Sequence, residues 1–459
     1  MSCLASACAR ALYSALMTLG QPLLRRKLAR RGQQEPGYLE AIEERFGHYR
    51  QPAETASELV WLHAVSLGET RTAAVLLKAL RAQHPALRLL LTHGTATGRE
   101  EGRALLKAIG RSGDVQVWQP WDSPAAVARF LTHFKPRLGL LMETEIWPNL
   151  VAAAKARAMP LILVNGRLSE KSLKQALRMA PLALPAYGAL SAVYAQTDAD
   201  ASRFAQLGAP VKGVFGNLKF DAAPSAVHIA QGRAWRRALN QPVLMFASSR
   251  EGEEEEFFAQ IKDRLKAYRE QAAPSPGAFK VLVAPRHPQR FDAVAALAAQ
   301  HGLRVSRRSQ WAGGPADSED ALRADIWLGD TLGEMALYYA LSDAALLGGS
   351  FAPLGGQNLI EAAACGCPLV MGPHTFNFTE AAALAQAAGA AQRVTDMAQA
   401  VRAALVLMSD ERAQAQAAQA GLDFAARHQG AAARTLAALH PLIFTGTPHT
   451  ACRINPGSF

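Results

Sequence analysis

Cysteine is scarce in this 459-residue chain, which holds only Cys3, Cys8, Cys365, Cys367 and Cys452. There is no C-x-x-C pair and no His/Cys group with zinc spacing, so neither a disulfide framework nor a structural metal is expected. The pattern reads as reduced thiols in a cytosolic body. Long apolar runs are missing too. Residues 11–24, ALYSALMTLGQPLL, are interrupted by Gln21-Pro22 and fall short of the ~20 residues of a spanning helix. No G-x-x-x-x-G-K-[ST] lies in the strand-following loops and no G-x-G-x-x-G opens the first βα unit, which argues against an ATPase and an NAD dehydrogenase.

Acidic residues are absent from residues 1–31, which carry Arg10, Arg25, Arg26, Lys27, Arg30 and Arg31, over half of the net +11. The remainder is only mildly basic, so no nucleic-acid partner is expected. A secretory signal places its charge before the apolar region, whereas here most of it follows. An apolar stretch abutting a basic cluster fits an anchor or interfacial helix held to the cytoplasmic face of a membrane by anionic lipid. An amphipathic first helix packed on the body fits the same residues.

Half of the residues are apolar, enough for substantial cores. Short apolar runs alternate with helical patterns: LVWLHAV (59–65), LRLLLT (87–92), VQVW (115–118), LGLLM (138–142), LILVN (161–165) and AVYAQ (192–196) in the first half. The second half continues with VLMFAS (243–248), KVLVAP (280–285), RVSRRS (304–309), DIWLG (325–329), AALLGGS (344–350) and PLVMG (368–372). This alternation predicts parallel βαβ units, hence an α/β protein with two Rossmann-like doubly wound sheets facing a cleft. The expected divisions are a membrane-associating segment 1–35, an α/β domain 36–221, a second α/β domain 222–440 and a tail 441–459. DAAPSAVH (221–228) reads as the linker, and AAPSPG (272–277) and WAGGPADSED (311–320) as surface loops.

Ligands of such sheets sit outside the carboxyl ends of the strands, which directs the search to the loops there. Ser66-Leu67-Gly68-Glu69 has the S-x-x-E spacing of a capping box, and Glu69 at a strand end also suits a general base. Glu143 and Glu145 end an apolar strand, either as a solvated turn or as groups touching substrate or pairing with a cation such as Lys219. In the second half, Arg286 after a buried strand is placed for a phosphate. Thr331–Glu334 and Asn358–Glu361 each have capping-box spacing and are expected to open helices. Gly348-Gly349 and Gly355-Gly356 permit close backbone approach to a ligand. Together these features suggest a nucleotide site for a phosphate-bearing donor. His63, His287 and His374 lack metal-spaced companions, and Leu337, Tyr338 and Tyr339 read as core.

The segments WLHAVSLGE, THGTATG, METEIWPN, VNGRLS, GNLKFD, SSREGEEE, VAPRHPQRF, GDTLGE, GGSFAPLGGQNLIEAAA and MGPHTFNF occur in this order. The series resembles the 3-deoxy-D-manno-octulosonic acid (Kdo) transferases of Gram-negative bacteria over nearly the whole chain, including ERFG at 44–47. No cofactor is expected, and no acidic pair has the spacing of a metal-held sugar-nucleotide site, so no metal is expected either. The resemblance implies a GT-B architecture and an inverting transfer of Kdo from CMP-Kdo to a lipid A precursor. It implies Glu69 as the base, and Glu143 and Lys219 as transition-state stabilisers. It places the CMP contacts on Pro285, Arg286, Leu332, Gly333, Glu334, Asn358, Leu359, Ile360 and Glu361.

The chain departs from the family pattern at Gln357, where G-G-H-N-P-L-E usually supplies a histidine, at Ala96 in the usual T-P-T-G, and at Arg250, an extra cation in the usual T-H-E-G-E-E. Rival readings are another sugar-nucleotide transferase or epimerase of the same fold, and a non-catalytic basic membrane-binding protein.

Overall fold

Strand β1 (Leu59–His63) is buried along its whole length, and its side chains divide between two cores. Leu59 and Trp61 join Phe130, Phe134 and Leu150 on one side, while Val60 and Leu62 join Leu76, Leu80 and Leu140 on the other. A strand covered on both faces needs apolar residues at every position, which is why the runs in the sequence are continuous rather than alternating. In the computed structural model, which describes residues 3–221, 224–270 and 277–444, β1 is an interior strand of the first of two parallel sheets.

The first sheet comprises β1, β2 (Arg88–His93), β3 (Val115–Trp118), β4 (Leu138–Met142), β5 (Leu161–Gly166), β6 (Ala192–Ala195) and β7 (Val211–Val214). Their spatial order is β3-β2-β1-β4-β5-β6-β7, all parallel. The following helices start where a hydroxyl can cap them. Ser66, Thr95, Ser123, Ser169 and Thr197 each accept the N–H three residues on.

The second sheet comprises β8 (Val243–Ser249), β9 (Lys280–Pro285), β10 (Val305–Arg307), β11 (Ile326–Leu328), β12 (Ala344–Leu347), β13 (Leu369–Met371) and β14 (Ala391–Arg393). Its order is β10-β11-β9-β8-β12-β13-β14, again parallel throughout. The α/β class and the two doubly wound sheets are as the sequence predicts. The sequence reading misses β7 and β14, because these edge strands are short and partly exposed and lack a continuous apolar run.

The domain limits differ from the expected ones. One compact unit is formed by residues up to Asp221 together with those from Gln429 onward, and the other by residues 222–428. The amino-terminal segment is therefore part of the first unit, as helices α1 (Cys3–Leu19) and α2 (Gln21–Gln34). Helix Ala431–Phe444, which the sequence reading places largely in the second domain, puts Leu436, Leu439 and Ile443 into the core of the first. Asp221 accepts N–H bonds from Gly430 and Ala432 and so joins the two crossings of the chain.

Within the expected linker, helix Ala226–Arg237 begins at once behind its Ser225 cap, and residues 222–223 lie outside the described residues. So do most of the expected loop 272–277 and of the tail 441–459. The expected surface loop 311–320 is partly internal: Trp311 is buried and donates from Nε1 to Ser306 Oγ at 2.9 Å.

Candidate active site

The strand order of the first sheet reverses between β1 and β4, and at such a point the loops diverge to leave a crevice at the carboxyl ends. Glu69 follows β1 and Glu143 follows β4. Glu69 is both capping residue and candidate base. Its N–H meets Ser66 Oγ at 3.4 Å, while its carboxylate accepts from Ser66 Oγ at 3.0 Å and from the Val65 N–H at 2.9 Å. The reach-back thus goes to the residue before the cap. Burial pushes this half-buried carboxyl up to about 7, against the Val65 N–H bond that favours its ionised form; the charges of Glu143 and Glu145 raise it further.

Glu143 has φ of +56°, an uncommon conformation for a residue with a side chain. Lys219 Nζ lies 3.9 Å from its Oε1, so these two predicted residues are brought together. Glu145 accepts from Trp147 Nε1 at 2.9 Å, and burial raises its pKa.

The sequence reading misses the amides that hold this arrangement. Asn165, near the end of β5 with φ of +53°, accepts the Leu218 N–H on Oδ1 at 3.0 Å. Gln196 donates to Asn165 O at 3.0 Å, Asn217 donates to Gln196 Oε1 at 3.0 Å, and the Lys219 N–H bonds Asn217 Oδ1 at 3.0 Å. Three strand ends thereby fix the turn that presents Lys219. Asn165 lies in VNGRLS and Asn217 in GNLKFD, so these motifs were the available signal. Asp122 is equally internal. It caps helix Pro148–Ala156 through the N–H groups of Asn149 (2.9 Å) and Leu150 (2.8 Å), and accepts the Tyr13 hydroxyl of α1. Burial pushes its pKa up to about 6. His63 is fully buried against Thr92, and burial takes it down to about 3, the behaviour of a core histidine.

The second sheet reverses between β8 and β12. Pro285 is the buried last residue of β9, and the exposed Arg286 follows it, its N–H bonded to Ser249 O at 3.1 Å. Glu361 lies within the field of Arg286, which opposes the upward shift that burial imposes on its carboxyl. Asn358 caps helix Leu359–Ala364 by accepting the Ile360 N–H at 3.1 Å. Leu359 and Ile360 are buried in the core, so only their backbone is placed for a ligand.

Thr331–Glu334 does not open a helix as expected. Helix Met335–Leu341 starts three residues later than that spacing places it, with Glu334 at its N-cap and the Thr331 hydroxyl bonded to the Glu334 carboxylate. Arg308 at 2.9 Å and the Tyr338 hydroxyl at 3.2 Å also occupy that carboxylate. Leu332 is exposed and Gly333 has φ of +83°, a conformation that glycine permits.

Glu253 and Glu254 open helix Glu253–Arg269, and neither is among the predicted site residues. Both are buried. Glu253 accepts four backbone N–H bonds, from Gly349 (2.7 Å), Phe351, Ala352 and Arg250 (3.1 Å each). The glycine turn after β12 is thus held by a carboxylate and does not offer these donors to a ligand. Glu254 accepts from Ser249 Oγ at 2.9 Å and from Arg290 at 3.2 Å. Glu254 sits at helical spacing with Phe257, Phe258 and Ile261, and a carboxylate on an apolar stripe was the signal available.

Residues 40–222 match the family profile described as 3-deoxy-D-manno-octulosonic-acid transferase (kdotransferase). The chain is 46% identical over 434 residues to the 3-deoxy-D-manno-octulosonic acid transferase of Bordetella pertussis, covering 94% of this chain and 98% of that protein. It is 30% identical over 439 residues to the transferase of the same name from Haemophilus influenzae, covering 95% and 99% respectively. Among solved structures, a glycosyltransferase from Rickettsia africae aligns over 85% of this chain and all of its own, with a TM-score of 0.52 at 12% identity, a likeness of fold.

Proposed function

Because the chain belongs to the 3-deoxy-D-manno-octulosonic acid (Kdo) transferase family and is a glycosyltransferase of GT-B type, we propose that it moves Kdo from CMP-Kdo to the glucosamine disaccharide of a lipid A precursor, lipid IVA, with inversion. The observation that carries this reading is Glu69, a half-buried carboxyl at the first switch point with its pKa at about 7. Such a group is partly ionised at neutral pH and basic enough to drive proton abstraction.

In the proposed step the acceptor hydroxyl gives its proton to Glu69 as its oxygen attacks the anomeric carbon of Kdo. The bond from that carbon to the phosphate oxygen breaks on the opposite face, and CMP leaves with the electron pair. Lys219, held beside Glu143, and Arg286 offset the charge that develops. Glu361 accepts the ribose hydroxyls, and the backbone around Pro285, Leu332, Gly333, Glu334, Asn358, Leu359 and Ile360 shapes the nucleotide site.

The lipid acceptor and a location on the cytoplasmic face of the inner membrane are supported by the amino terminus. Leu4, Leu12, Leu16 and Leu19 line one exposed face of α1, and Leu23 continues it on α2. A cavity of about 260 Å³ lies beneath α1, with Pro148, Pro181 and Pro185 in its walls and Arg10 and Lys155 at hand for an anionic headgroup. Arg25 is directed to Glu43 at 2.6 Å and Arg31 to the Tyr38 ring, which leaves Arg26, Lys27 and Arg30 to address lipid. Among the described residues no helix is long and apolar enough to cross a membrane, which favours a helix lying in the interface.

Incubation with CMP-Kdo and lipid IVA tests the reading. CMP release that requires the lipid, with a product heavier by Kdo, is expected. Turnover of a UDP-sugar in place of CMP-Kdo would overturn it in favour of a related sugar-nucleotide enzyme.

A further inference from the structure

The second switch point holds more positive charge than one departing phosphate requires. Arg250 follows β8, while Arg286 and Arg290 follow β9 with His287 between them. Burial and the fields of all three arginines hold the His287 imidazole below its ordinary range. Arg290 is engaged by the buried Glu254. The Arg250 guanidinium has no ion pair or hydrogen bond among the described residues, although its backbone is firmly set. Its N–H bonds Glu253 Oε2 and its carbonyl accepts the Glu253 N–H, both at 3.1 Å.

The direction of its side chain is marked by Gly349, whose φ is +70°. A methyl group on Gly349 would lie 3.6 Å from Arg250 Cγ and 3.2 Å from Gln357 Nε2. The arginine stem and an amide donor therefore flank the same bare stretch of backbone at the sheet's crevice, where a side chain would crowd them. Glu253, which holds both Arg250 and Gly349 by their N–H groups, keeps the two sides in register.

The donor of the proposed function, on which this inference rests, is unusual among sugar nucleotides in its charge. The anomeric carbon of a 2-ulosonic acid bears a carboxylate as well as the phosphate ester, so two anions are attached to one carbon. An aldose nucleotide has a hydrogen in the carboxylate's place. A guanidinium presents paired N–H groups that match a carboxylate's two oxygens. We propose that Arg250, with the Gln357 amide beside it, binds the C1 carboxylate of the donor sugar, while Arg286 faces the phosphate. Arg250 is then the residue that distinguishes an ulosonic-acid nucleotide from the nucleotide alone.

The test compares KM for CMP-Kdo with the inhibition constant of CMP, which lacks the carboxylate, in the full-length protein. In Arg250→Gln, KM is expected to rise about 10–100-fold, the worth of a charge-assisted pair, while inhibition by CMP stays as in the wild type. Arg250→Lys, which keeps charge without the fork, is expected to fall between. Arg286→Gln is expected to weaken both ligands. An equal loss for CMP and CMP-Kdo in Arg250→Gln, or no loss for either, overturns the assignment. Failure of the wild-type protein to consume CMP-Kdo overturns the donor reading itself and is seen before any variant is made.

Discussion

The two switch points share a topology and have opposite electrostatics. At the first, Glu69, Glu143 and Glu145 gather with Lys219, and the crowding of carboxylates adds to burial in raising the pKa of Glu69. At the second, the acids Glu253 and Glu254 are turned inward as struts, and Arg250 and Arg286 remain at the loops. The lesson is that a carboxylate at a strand end is defined by its partners. One that accepts four N–H bonds is a structural clamp, whereas one that accepts two, and is pushed up by burial and by neighbouring carboxylates, suits the proposed role of base.

The largest expected effect tests the chemical side of this contrast. Glu69→Gln preserves shape and much of the capping, yet removes the proton acceptor, so kcat should fall by ~10²–10⁴-fold with CMP affinity retained. Wild-type kcat/KM should rise with pH through about 7 as Glu69 ionises. Stability moves the other way. The folded value lies above the ordinary 4.5, so the folded protein binds a proton that the unfolded chain releases, and the contribution declines as pH rises from 4.5 toward 7. A flat pH–rate profile across that window, or full activity in Glu69→Gln, returns Glu69 to a capping role alone.

Glu253→Gln tests the strut. It sets an amide NH₂ against N–H groups that now face carboxylate oxygens, and leaving about two of them unpaired should cost roughly 2–4 kcal/mol in denaturant unfolding. Glu361→Ala comes next: losing a charge-assisted contact to ribose should weaken CMP by about 10–100-fold in titration calorimetry. Acceptor binding should hardly change, and an unaltered CMP dissociation constant would reduce Glu361 to a helix residue. The smallest effect belongs to Tyr13→Phe. It removes a hydroxyl from Asp122, the first unit's own buried strut, and should lower stability by about 0.5–1.5 kcal/mol. A thermal midpoint identical to the wild type would show that α1 is held by other contacts.

The central strands were legible because burial on both faces demands unbroken apolar runs, as in LVWLHAV. Glu69, Glu143 and Arg286 stood out by residue type at the ends of expected strands, Lys219 by its place before the expected linker and as a cation for Glu143, and the resemblance sharpened all four. Edge strands such as Val211–Val214 were not, since a partly solvated strand tolerates Lys212 and Gly213. The struts were hidden for another reason. Glu253 meets Gly349 nearly a hundred residues away, and Asp122 meets Asn149 across another strand and helix, so no local pattern records the pairing. The return of the chain was marked only by Gly430, whose φ of +95° breaks an otherwise continuous alanine-rich stretch.

That return has a consequence for synthesis. The first unit lacks helix Ala431–Phe444 until the ribosome has made the whole of the second. The roughly two hundred residues of the second unit take about 10–40 s to translate at ~5–20 residues per second. Through that interval the apolar face that will receive Leu436, Leu439 and Ile443 stands open, while the second unit, continuous in sequence, is free to fold. The order in which the units can be completed is therefore the reverse of the linear one: all residues of the second unit are present first, and the first waits for helix Ala431–Phe444 to close it.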